Sequence, residues 1–76
     1  MADTERNAVI VLGDHRLLYV RSTTAQINAE IENRRSLALP VIPLVDDRGR
    51  DFWLNANHIA GFYAYDADQP QIAFGR

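Results

Sequence analysis

His15 and His58 are the side chains best suited to proton transfer near neutral pH, and they are the chain's two histidines. A catalytic histidine needs a nucleophile or substrate within hydrogen-bond reach and a partner that orients its ring. Ser22 and Ser36, the only serines, are better read as helix-boundary residues. His58 ends the polar knuckle Asn55-Ala56-Asn57-His58, where a locally bonded ring is the simpler reading. Asp46, Asp47 and Asp51 flank a turn, and Asp66 and Asp68 sit in another. A divalent cation wants several oxygens at convergent spacing, and no EF-hand-like series is present. These carboxylates read as solvated turn residues.

Missing residue types exclude further chemistry. With no cysteine there are no disulfides, thiolate nucleophiles or cysteine zinc sites. All eight basic residues are arginine, which removes Schiff-base lysines and the lysine of a phosphate-binding P-loop. The four glycines are scattered and form no phosphate loop. The chain is therefore expected not to be an enzyme, with no catalytic, metal or cofactor-binding residues and no cofactor.

Binding chemistry is better represented. Tryptophan, tyrosine and arginine dominate interface hot spots, and Trp53, Tyr19, Tyr63 and Tyr65 are the candidates here. An alternative role is nucleic-acid binding. Arg34, Arg35, Arg48 and Arg50 would contact phosphate, with Arg16 and Arg21 extending the stripe and the aromatic rings stacking on bases. A net charge of -2 and a pI near 5.5 weigh against it, as does the interleaving of acids and arginines in Asp46-Asp47-Arg48-Gly49-Arg50-Asp51.

The elements that must position these side chains follow from pattern. Residues 8–12 are a β-branched apolar run, Gly13 and Asp14 supply turn chemistry, and residues 16–20 form a second strand, making a hairpin. Thr23 with Gln26 makes a capping box that starts a helix over 24–35, with Ile27 and Ile31 one turn apart and Ala38 to follow. Arg34 and Arg35 suit its C-terminal end. Pro40 stops it. Residues 41–45 form a strand whose Pro43 points to a sheet edge. Gly49 supplies the positive φ of a type I turn with a G1 bulge. Residues 51–54 place Phe52 and Leu54 on one face and Trp53 on the other. After the knuckle, residues 59–65 place Ile59, Tyr63 and Tyr65 on one face and Ala60, Phe62 and Ala64 on the opposite one. A turn over 66–70 leads to a short last strand at 71–74.

The fold expected is thus α+β, a small antiparallel sheet or half-barrel in which ββα precedes three or four strands and one amphipathic helix packs on the sheet. Residues 1–7 read as a flexible tail and residues 8–76 as one domain. A chain of this size buries only about 60% of its unfolded surface, but a hydrophobic fraction of 47% is ordinary for a globular protein. The polar, acidic start has no signal-peptide pattern, and no apolar run approaches the roughly 20 residues of a membrane span. The expected location is cytoplasmic or within a virion, with no membrane partner.

The first hairpin is apolar on both faces, whereas an antiparallel sheet with one wet face should alternate. One helix covers one face. Val9, Val11, Leu17 and Tyr19 on the other face are expected to meet a second polypeptide, since exposed apolar patches mark association sites.

Gly49, Phe52, Leu54, Asn55, Ile59 and Phe62 together resemble the opening motif of the FlbD/SwrD family of small bacterial proteins. The strand at 16–20, Ser22 and a helix bearing Ile27 and Ile31 resemble that family's second half, so the halves stand here in reversed order. The resemblance implies a non-enzymatic, protein-binding role. The strand-knuckle-strand pattern also resembles the LytTR DNA-binding domains. The function expected is a non-catalytic interaction or assembly module that associates with itself or another protein, as a small component of a phage or bacterial assembly.

Overall fold

Ala8–Leu12 (β1), with hydrophobic side chains on both faces, takes the central place in the first sheet. It lies between Leu17–Val20 (β2) and Ile59–Ala64 (β5) in an antiparallel sheet of order β2-β1-β5. The computed structural model describes residues 4–34 and 40–68, and these form five strands and one α-helix, a small α+β fold. Val41–Val45 (β3) and Asp51–Asn55 (β4) make a second antiparallel pair.

The two sheets meet at one seam. Val20 bridges Asp46, the Arg21 N–H donates to the Val45 carbonyl at 2.8 Å, and the Val45 N–H donates to Ser22 Oγ at 3.0 Å. Ser22 is the one buried polar residue among those described, and this bond is why it is tolerated there. The two sheets share a core of Ala8, Ile10, Val20, Ile42 and Leu44, with Ile27 of the helix Thr24–Arg34 (α1) among them. The helix starts as its capping box requires. The Gln26 N–H donates to Thr23 Oγ1 at 3.2 Å and the Thr23 N–H donates to Gln26 Oε1 at 2.8 Å.

Three details depart from the sequence reading. Val9 and Val11 have no exposure in the single chain, so no second polypeptide is needed to cover them. In register, Tyr19 and Tyr63 flank Val9, and Leu17 and Gly61 flank Val11. Second, Ile59 packs against the core together with Phe62 instead of pointing away with Tyr63. Val11 faces Gly61 but Leu12 faces Ile59, leaving Ala60 as an extra residue. That bulge reverses the alternation. Third, Glu5 and Asn7, within the segment read as a tail, are hydrogen-bonded to the rest of the fold. The Glu5 N–H donates to the Asp47 carbonyl at 2.8 Å, the Asn7 N–H to Val20 at 2.9 Å, and the Tyr65 N–H to the Asn7 carbonyl at 3.1 Å. Residues 71–74, with Arg35, Ser36 and Ala38, lie outside the described residues.

Both hairpins use one turn geometry. In the first, the Leu12 N–H donates to Arg16 and the His15 N–H to Leu12, each at 2.9 Å; in the second, the Asp46 N–H donates to Arg50 at 2.8 Å and the Gly49 N–H to Asp46 at 3.0 Å. The residue closing each turn is left-handed, with φ of 72° at His15 and 87° at Gly49. Glycine adopts that geometry freely and histidine does not. Equivalent positions should therefore respond oppositely in urea unfolding. His15→Gly is expected to stabilise by about 0.5–1 kcal/mol, and Gly49→Ala to destabilise by about 1–2 kcal/mol. The added Cβ at position 49 would also lie 3.1 Å from Arg21 Nη1. Equal signs at the two sites would contradict the shared turn.

Candidate functional site

Of the residues singled out for partner binding, the structure gathers Val9, Val11, Leu17, Tyr19 and Tyr63 on the outer face of the β2-β1-β5 sheet, with Tyr65 just beyond β5. Val9 and Val11 are buried, and Leu17, Tyr19, Tyr63 and Tyr65 are half-buried. The tyrosines are engaged with the chain itself. The Tyr19 and Tyr65 rings meet edge to face, with centroids 5.9 Å apart. The Arg6 guanidinium stands 4.3 Å from the Tyr19 centroid, and its Nε donates to Asp47 Oδ2 at 3.0 Å. The hydrogen bond that Arg6 donates to Asp47, then that to Tyr65, raise the Arg6 pKa above its ordinary value. This arrangement fastens the N-terminal segment to the β3–β4 turn. Arg6 escaped the sequence reading because its carboxylate partner is remote in the chain and leaves no local signal.

Trp53 is elsewhere. It lies on β4 with its side chain 64% exposed, on the face opposite the inward Phe52 and Leu54, and is not part of the core. It stands in register with Pro43 on β3, and the two residues help line a shallow hollow of about 270 Å³ with Val45 and Asp51.

The hydrogen-bond parity of this ribbon decides which of its edges is open. The Ala56 N–H donates to Pro40 and the Asp46 N–H to Arg50, both at 2.8 Å, which marks Pro40/Ala56 and Asp46/Arg50 as bonded pairs. Antiparallel ladders alternate, so Ile42/Leu54 and Leu44/Phe52 bond while Val41/Asn55, Pro43/Trp53 and Val45/Asp51 do not. Pro43 thus sits where its missing N–H removes no bond to β4, a finer placement than the sheet edge expected from sequence. On the other side of the ribbon, the backbone groups of Asp51, Trp53 and Asn55 point away from β3. Among the described residues β4 pairs with β3 alone.

Among the described residues several arginines stand beside carboxylates. Arg50 Nε lies 2.9 Å from Asp46, Arg34 Nε 3.3 Å from Glu30, Arg16 Nε 3.0 Å from Asp14 and Arg21 Nε 3.9 Å from Glu5. Arg48 is exposed on the β3–β4 turn. Arg34 is a full helix length, roughly 15 Å, from the start of α1, which abuts Val45 beside that turn. Arg35 lies outside the described residues.

His58 ends the 3-10 turn Ala56–His58, whose cap is Asn55: its side chain accepts from the Asn57 N–H at 2.8 Å. Together with Leu12, Gly13, Asp14, Leu54 and Asn57, His58 lines an open cleft of about 380 Å³, and the Gly13 N–H donates to the His58 carbonyl at 2.8 Å. Sequence reasoning missed this cleft because the first hairpin turn and the knuckle are far apart in the chain. Among the described residues no hydroxyl or thiol lines it. Among the described residues no cluster of acidic and histidine side chains could hold a metal ion, and no helix is long and apolar enough to cross a membrane.

Asp46 carries the clearest electrostatic signature. Its Oδ1 accepts the N–H of Arg50 and of Arg48, each at 2.9 Å, and its Oδ2 accepts Arg50 Nε at 2.9 Å. The Arg50 backbone bond foremost, with those from Arg48 and the Arg50 side chain, lowers its pKa below the ordinary 3.8. A depressed folded pKa contributes stability above the unfolded value, and that stability is lost as pH falls through the folded value. Asp46→Asn should therefore cost stability at neutral pH and progressively less below about pH 4. Urea midpoints across pH measure this, and a pH-independent difference would remove the carboxylate's role.

No protein-family model matches this chain, and no curated protein or solved structure matches it.

Proposed function

We propose that this protein is a non-catalytic interaction or assembly module that self-associates through the outer face of the β3–β4 ribbon, centred on Trp53. The carrying observation is the 64% exposure of Trp53 on a regular strand whose alternate residues are packed inward. Apolar neighbours Val41, Pro43 and Val45 are only half-buried, so the ring extends an apolar patch. Tryptophan is the side chain most enriched in binding hot spots, because it removes a large area from water at low entropy cost. The half-buried Leu17, Tyr19, Tyr63 and Tyr65 form a secondary surface, and Val9 and Val11, without exposure, take no part. A small component of a phage or bacterial assembly would use such a patch to join its neighbours. The nucleic-acid alternative gains little from the arginines, several of which pair with carboxylates.

Light scattering over a concentration series tests the reading. The mass of the wild-type chain should rise above 8.6 kDa with concentration. Trp53→Ala should weaken association by about tenfold or more while leaving the circular dichroism spectrum unchanged, since truncating an exposed ring opens no core cavity. A wild-type mass fixed at the monomer value up to millimolar concentration defeats self-association.

A further inference from the structure

Resting on that reading, we propose how the second copy of this chain docks: it is added at the edge of the patch, two β4 strands pairing antiparallel about a two-fold axis at Trp53, which joins the two outer faces into one. The seam and Pro43 make the choice between the ribbon's two edges. On β3, Pro43 has no N–H to give, and the Val45 N–H and carbonyl are already bonded to Ser22 and Arg21. On β4, the backbone groups of Asp51 and Trp53 and the Asn55 N–H face away from β3 and no described strand pairs with them, while the Asn55 carbonyl opens the 3-10 turn Ala56–His58, so a strand added there finds both donors and acceptors at Asp51 and Trp53.

The side chains select the register. With Trp53 opposite Trp53 of the second copy, the two rings are neighbours on one continuous outer face, and Asp51 of each chain stands opposite Asn55 of the other. Asn55 Oδ1 is occupied by the Asn57 N–H, which leaves its Nδ2 to donate to that carboxylate. Centring on Asp51 would oppose two carboxylates, which is destabilising. Centring on Asn55 would demand strand geometry from the 3-10 turn Ala56–His58. Centring on Phe52 or Leu54 sets Asp51 or Asn55 against the indole instead of against each other.

The experiment is sedimentation equilibrium of the full chain as wild type, Asn55→Asp, and Asn55→Asp combined with Asp51→Asn. Aspartate caps the Asn57 N–H as well as asparagine does, so the single variant should keep its fold, checked by circular dichroism. It places carboxylates opposite each other twice across the axis, and Kd should rise about tenfold. The double variant restores a carboxylate–amide pair, and its Kd should return to within about threefold of wild type. An Asn55→Asp chain that associates as tightly as wild type, or a double variant that is not restored, overturns the edge pairing. If Trp53→Ala still abolishes association in that case, the docking face stands and only its geometry is wrong. A strictly monomeric wild type removes both.

Discussion

The seam at Val20, Arg21 and Ser22 is the constraint on which the architecture depends. Two antiparallel sheets would otherwise be joined only by connecting segments, each with an apolar face turned to water. The Arg21 to Val45 bond and the Ser22 hydroxyl on the Val45 N–H hold the end of β2 against the end of β3. The inner faces then enclose Ile10, Ile27 and Ile42, all without exposure. Ser22 does two things at once: it ends β2, and it satisfies an outward N–H that would otherwise be lost in a buried junction. The capping box begins one residue later, so strand end, sheet junction and helix start are compressed into Arg21, Ser22 and Thr23.

The same corner collects the charged residues. Glu5, Arg6, Arg21, Asp46, Asp47 and Arg50 surround it, and the N-terminal segment enters through them. Exposed ion pairs contribute little each. What they add here is position, since the Arg6 guanidinium over Tyr19 holds the segment across both sheets. The interleaving of acids and arginines between residues 46 and 51, which made a basic footprint unconvincing from composition, is what closes this corner.

Much of the fold was legible because its signals are local. The bounds of β1 and β3, the capping box, and the glycine of the second turn all rest on residues within a few positions of one another. What escaped depends on pairs distant in sequence. The bulge at Ala60 is set by how β5 meets β1, and no alternation pattern within β5 announces it. The burial of Val9 and Val11 is a property of the assembled chain and not of the hairpin pattern. His15 in a left-handed turn was hidden because Gly13 and Asp14 looked like the turn formers. For the candidate site, the two-sided character of β4 could be read from Phe52, Trp53 and Leu54, but whether Trp53 faces core or solvent is decided only once the helix and the first sheet are placed.

Pro43 has an outcome for supramolecular order. A sheet that grows by adding strands needs a receptive border at each end of the growing unit, and a proline at mid-border denies it one. In the pairing proposed above, sheet extension from β4 would stop at β3 of the incoming molecule, and such contacts would close on themselves as a finite particle instead of polymerising into a fibre.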